Sequence, residues 1–212
     1  MKTYLFLLPL IFISLGCGVS YNIGVNAYSS SGQNLLIPEE SSIYVVTDSN
    51  APNPIFEKEI ATKIQTLLNK NGYSLGSEQA SYYLLFDYGM NSSRNITGTM
   101  PYYHSSLYYG YPFHYGFRYS YTPYTSYYTT TYNRWLVLKL IDGKAYRTSS
   151  KAEPLWISEV ASTGPSSDLR RIINYMLIAA FEHFGKDTGK RVHELIPQDD
   201  ERIEHLIESR KY

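Results

Sequence analysis

The sequence predicts an α+β fold: a two-layer sandwich in which a mostly antiparallel sheet is packed by two amphipathic helices and carries a long Tyr-rich hairpin excursion. Three observations lead there. Five short segments show period-two or β-branched apolar patterns, the signature of strands. Two longer segments repeat apolar residues at helical spacing over several turns. Their order is strand, strand, helix, strand, strand, strand, helix, and hairpin-connected strands with two apolar helix faces to bury suit one layer of each.

The first strand, Val19 to Ala27, alternates Val19, Tyr21, Ile23, Val25 and Ala27 with Ser20, Asn22, Gly24 and Asn26, so one of its faces is buried. The turn cluster Ser29 to Gly32 ends it. Ile43 to Val46 is the second strand. Asn53 and Pro54 then open a helix, because an Asn side chain accepts from a free N-terminal amide and Pro at the first helical position surrenders an N–H that has no intrahelical partner. Phe56, Ile60, Ile64, Leu67 and Leu68 share its buried face, and Asn71-Gly72 stops it.

Tyr82 to Gly89 is apolar on both faces except at Asp87, as a central strand is. Trp135 to Ile141 follows, with Leu136, Leu138 and Leu140 on one face, and Asp142-Gly143 reads as a tight turn. Leu155 to Ala161 is the fifth strand. The second helix runs from about Asp168 to Phe184 with Leu169, Ile172, Ile173, Met176, Leu177 and Ala180 on one stripe. Ser166, Ser167 and Asp168 offer acceptors at its start, and Gly185 terminates it. The charged tail, residues 198–212, has a thin Ile203, Leu206, Ile207 stripe and reads as a frayed or solvent-facing helix.

Composition excludes several function classes. The 212 residues hold 19 Lys and Arg against 19 Asp and Glu, so the chain has no electrostatic footprint for nucleic acid, whose binding rests on clustered cations neutralising phosphates. One Cys makes neither an internal disulfide nor a multi-Cys metal cluster. Of the five His residues, His104, His114, His183, His193 and His205, none has a metal-ligand partner at a recognised helical spacing. His193-Glu194 begins like a zinc-protease motif, but Pro197 stands where the second His is needed. Gly164 to Asp168 lacks the closing Gly of a nucleophile elbow. The run Gly185 to Arg191 is one residue short of a phosphate loop and has Arg where a hydroxyl should hold magnesium, so it reads as a helix stop and a turn. No catalytic residue, metal ligand or cofactor site is assigned.

The N-terminus reads as an address. Lys2 supplies one positive charge, Tyr4 to Leu15 is an apolar or small-residue run, and Gly16-Cys17 follows. That is the layout of a signal peptide over residues 1–16, and a run of about 12 residues is short of the roughly 20 that a transmembrane helix needs. The Cys directly after Leu15-Gly16 resembles the bacterial lipobox. The resemblance implies diacylglycerol on the Cys17 thiol and cleavage after Gly16, giving a single domain over residues 17–197 and a tail beyond it. One acyl chain binds a membrane marginally, whereas two or more hold essentially permanently. Gly18 in place of an Asp points to the outer membrane, with the domain facing the periplasm. A plainly secreted protein and a buried structural Cys are the alternatives.

The unusual segment is 101–133. It holds 12 of the 23 Tyr residues and a single charge, Arg118, and Pro101, Pro112 and Pro123 are each followed by an aromatic. Three readings stay open: a low-complexity excursion from the hairpin, an aromatic binding surface centred on Tyr108, Tyr111, Tyr115, Tyr119 and Tyr121, or an edge for self-association. An aromatic surface suits a glycan of the envelope or another envelope protein.

Several runs together resemble a family of bacterial lipoproteins catalogued as a domain of unknown function. They are the lipobox, the opening from Ser20-Tyr21-Asn22-Ile23 to Ser29, Gly72-Tyr73, the Tyr-, Gly- and Thr-rich excursion, Tyr132 to Leu136, Leu155-Trp156, Ser162 to Gly164 and Ser167 to Arg171. The resemblance implies location and fold and carries no activity. Asp168 and Arg170 within it read as a helix cap and a solvent-facing or locally paired cation. The resulting expectation is a lipid-anchored, non-enzymatic binding or scaffolding module of the envelope of a two-membrane bacterium; an envelope hydrolase is the alternative. Metabolic labelling with an alkyne fatty acid is expected to mark the wild-type protein and miss Cys17→Ala, and equal labelling of the two would contradict the anchor.

Overall fold

The computed structural model describes residues 19–38, 40–101, 124–149 and 151–208. Strands are β1 (Ser20–Ser29), β2 (Ser42–Val45), β3 (Ser74–Leu75), β4 (Tyr82–Pro101), β5 (Tyr124–Asp142), β6 (Trp156–Gly164) and β7 (Val192–Pro197). Helices are α1 (Pro54–Lys70), α2 (Gly143–Thr148), α3 (Leu169–Glu182) and α4 (Glu201–Glu208). The strands form one open sheet in the order β3-β2-β4-β5-β6-β1-β7. All pairs are antiparallel except β2 with β3 and β2 with β4, which are parallel because α1 returns the chain to the same end of the sheet. The architecture is the expected α+β two-layer sandwich.

Alternation sets which sheet face is covered. Leu84, Leu138, Leu140, Trp156, Val160, Val25 and Ile23 lie on one face and are all buried, with α1 and α3 above them. The other face carries Leu85, Asp87, Val137, Lys139 and Glu159 and has no long helix over it among the described residues. Helix α3 is the centre of the core: every residue from Ile172 to Phe181 is buried. Its cap is the one the sequence suggests, with the Asp168 carboxylate accepting from the Arg171 amide at 2.9 Å. Asn53 caps α1 in the same way, through Phe56 N–H at 3.1 Å. Gly185 follows α3 at φ +73°, a left-handed conformation that ends the helix at little cost only for glycine. Trp156 fastens the outgoing chain, its indole N–H donating to the Lys186 carbonyl at 2.9 Å.

Four expectations change. Asp142-Gly143 is not a hairpin turn: Asp142 caps the short helix α2 by accepting from Ala145 N–H at 2.8 Å. Gly143 is needed there because a Cβ would stand 2.2 Å from the Ala80 carbonyl oxygen. The tail is not solvent-facing throughout, since α4 packs on α3 with Ile203 and Leu206 buried, and only Ile207 of the stripe is half exposed. Strand β7 is additional: its pattern hides it, because among its inward residues Val192, Glu194 and Ile196 the middle one is charged. Finally β4 and β5 are longer than their apolar cores, so residues 124–133, expected in the excursion, are paired strand opposite residues 91–101.

Arg170 pairs neither with solvent alone nor within its own turn. Its guanidinium grips Glu59 on α1, with Nε 2.8 Å from Oε2, while Lys63 reaches Oε1 at 2.7 Å. Burial by itself would raise the Glu59 pKa; the hydrogen bonds from Arg170 and Lys63 and their charges outweigh it and hold the carboxyl at about 2. A depressed carboxyl pKa stabilises the folded state above the unfolded value of 4.5, and that contribution is lost as pH falls through about 2. Urea unfolding followed by circular dichroism should therefore show wild-type stability declining from pH 4.5 downward. Glu59→Gln should flatten this part of the profile; an unchanged slope would contradict the assignment.

Candidate functional site

Strand β2 leaves the sheet early. It pairs with β4 only from Tyr82 to Leu84, and the last contact is Val46 N–H to the Leu84 carbonyl at 3.0 Å. The chain then turns outward through Asp48, whose carboxylate accepts from Asn50 N–H at 2.8 Å, and enters α1. From Phe86 onward β4 thus has β5 on one side and no described strand on the other. A cleft of about 420 Å³ lies along this edge, walled by the 48–53 turn, by Phe56 and Glu57 of α1, by Leu85 to Tyr88 of β4, and by Val137 and Lys139 of β5.

The direction of the backbone groups follows from one observed bond. The Leu84 carbonyl points toward β2, and strand alternation turns the N–H and C=O of Phe86, Tyr88 and Met90 the same way, into the open edge. The Tyr88 N–H is covered by its neighbour, the Asp87 carboxylate, at 2.9 Å. Phe56 meets Tyr88 edge-on at 5.2 Å between centroids, and Phe86 stacks beside Tyr88 at 6.3 Å.

Glu57 is the buried charge of the cleft, 6% exposed in the first turn of α1, where the helix dipole favours an anion. Its carboxylate accepts from Asp48 N–H at 3.2 Å and from the Tyr88 hydroxyl. Burial first, then the Glu57 charge and this hydrogen bond, push the Tyr88 phenol up to about 12. Asp48, Glu57 and Asp87 face a single cationic wall residue, Lys139, and no ion pair joins any of the three to a described cation. The cleft is an apolar trough with an acidic rim.

The residues singled out from the sequence fall elsewhere. Cys17, the 1–16 leader and Tyr108, Tyr111, Tyr115, Tyr119 and Tyr121 lie outside the described residues, as do His104 and His114. His183 contacts Glu194 at 2.8 Å, His193 contacts Asn22 at 2.9 Å, and His205 is on α4. Among the described residues no group of three or more His, Cys, Asp or Glu is placed to hold a metal ion. The Gly185 to Arg191 run forms a helix stop and a turn, as its sequence predicts.

Arg134 went unnoticed in the sequence beyond its place in the Tyr132 to Leu136 run. It is 2% exposed and donates to the carbonyls of Gly164, at 3.3 Å, and Ser166, which fixes the turn leading into α3. Burial lowers its pKa, and its Nε has no described partner. A buried guanidinium spent on loop carbonyls is a structural cation.

A family model described as a domain of unknown function, DUF4136, matches residues 25–184. The chain belongs to this family. The matched residues run from within β1 to just past α3 and contain the whole cleft, while β7 and α4 lie beyond them. No curated protein matches the sequence. Among solved structures the chain is similar to a PDZ domain protein from Parabacteroides distasonis ATCC 8503, with 14% identity and a TM-score of 0.48 over 85% of this chain and 40% of that one. It is also similar to the PelC dodecamer from Paraburkholderia phytofirmans, with 13% identity and a TM-score of 0.42 over 77% of this chain and 98% of that one. These likenesses bear on neither the ligand nor the assembly of this DUF4136 chain.

The coupling of Tyr88 to Glu57 can be measured directly. In ¹³C-tyrosine spectra Tyr88 should titrate near 12, and in Glu57→Gln it should move down toward 10 without reaching it, because burial persists. A raised phenol pKa stabilises the fold below pH 10 and loses that contribution as pH rises through about 12. An unmoved Tyr88 titration in the variant would contradict the hydrogen bond.

Proposed function

We propose that this DUF4136 chain is a lipid-anchored, non-enzymatic binding module of the bacterial cell envelope. The anchor is diacylglycerol on Cys17, the site is the outer membrane facing the periplasm, and the cleft beside β4 is the docking surface. Support for the anchor is the signal-like 1–16 run with Cys17 directly after it. No described helix is long and apolar enough to cross a membrane. The observation that carries the binding role is the cleft itself: aromatic walls, three carboxylates with no ion pair to a described cation, and strand backbone with no described strand beside it.

A hydrolase has less support. The described His–carboxylate pair, His183 with Glu194 at 2.8 Å, does not line the cleft, and neither do His193 and His205. The partner is another envelope component, a protein or a glycan, and not nucleic acid, given the net charge of zero. Tyr108, Tyr111, Tyr115, Tyr119 and Tyr121 extend the proposal as an aromatic surface on the excursion.

A photo-crosslinking amino acid at Leu85, inside the cleft, tests the role in living cells. Leu85 should give a discrete adduct identifiable by mass spectrometry, and the same group at Lys144 on α2 should not. Deleting 102–123 between the paired ends of β4 and β5 should weaken the adduct if the Tyr surface contributes. No adduct from Leu85, or equal adducts from both positions, would overturn the binding role.

A further inference from the structure

We infer that the free edge of β4 from Phe86 to Met90 accepts an extended segment of a partner protein bearing Lys or Arg, which adds as a strand and lays its cation in the acidic rim of the cleft. The inference rests on the binding role proposed above and names its partner class. The open edge is the first support. Phe86, Tyr88 and Met90 turn donors and acceptors to a side where β2 has already departed, and an added strand satisfies such groups with main-chain bonds of its own. A partner strand would continue the row that β2 begins.

The second support is that this edge lines the cleft, which the other described outer strands do not. The other outer strands are β3, two residues long, and β7, and neither lines the 420 Å³ cleft. Alternate side chains of an added strand meet different walls. One set faces Phe56, Phe86 and Tyr88, and the other faces Leu85, Asp87, Val137 and Lys139. Apolar residues alternating with basic ones therefore suit the trough better than a continuous apolar run.

Charge selects the sign of the partner. The exposed Asp48 and Asp87 outnumber Lys139, and Asp87 has a specific part. In the unpaired edge its carboxylate occupies the Tyr88 N–H, a device that discourages indiscriminate strand pairing. An incoming carbonyl takes over that N–H and releases the carboxylate to meet the partner's ammonium or guanidinium. A segment bearing Glu would instead set like charges together.

The test uses the full-length protein and three synthetic peptides: a seven-residue alternation of Val and Lys, its Val and Glu counterpart, and the Val and Lys peptide N-methylated at alternate peptide bonds. The Val and Lys peptide should bind on the order of tenfold more tightly than the Glu peptide. It should slow amide exchange at Phe86, Tyr88 and Met90, and N-methylation should abolish the effect. Asp87→Lys should weaken binding by a similar factor while amide exchange in α3 stays unchanged, which separates the site from a folding defect. Equal binding by the Glu or N-methylated peptide, no binding by any, or protection only elsewhere would overturn the inference. If Leu85 crosslinks a partner in cells while the peptides fail, the strand-addition inference falls and the binding role stands.

Discussion

Helix α3 is buried around its whole circumference from Ile172 to Phe181, and most of the architecture follows from the need to cover it. A helix with one apolar stripe needs one neighbour, whereas a helix apolar on all sides needs several. The sheet lies beneath it through β1, β5 and β6, α1 lies on one flank, and α4 packs against it as well. Each fully buried Ile, Leu or Phe contributes about 1.5–3 kcal/mol, so an uncovered flank of α3 would be costly. Helix α4 covers such a flank and buries Ile203 and Leu206 against it.

Two charged groups tie this helical layer together in different ways. Glu59 joins α1 to α3 by accepting from Arg170 across the helices, with Lys63 on its other oxygen. Arg134 works from below, where a cation on β5 holds the carbonyls of the turn that feeds α3. The first is a paired, partly hydrated interaction that responds to pH. The second has no described carboxylate partner, and its stability depends on the surrounding backbone dipoles.

The cleft exists because two constraints end β2 early. The chain must leave the sheet to reach Asn53 and start α1, and α1 must sit over the face that carries Leu84 and Leu138. Strand β4 continues past that departure point because β5 still pairs with it as far as Pro101. A long strand beside a short one leaves an unpaired edge, and the first turn of α1 supplies the far wall with Phe56 and Glu57. The cleft is thus a by-product of strand-length mismatch next to a helix start.

The sequence by itself determined the layer architecture, both helix caps and the central strands, since these are set by spacings within a few residues: Asn53 to Phe56, Asp168 to Arg171, and the alternate Leu136, Leu138 and Leu140. Asp87 was visible as the one charge in an apolar strand, but its role was not. Glu57, Tyr88 and Asp48 come together only because β2 stops beside β4, a fact of length and pairing that no local pattern records. Likewise the docking of α4 and the presence of β7 are hidden in the sequence, because their few apolar residues count only when α3 and β1 lie against them. Local physics chose the elements; long-range pairing decided which edge stays open and which charges face it, because hydrogen-bond register and burial are properties of neighbours in space.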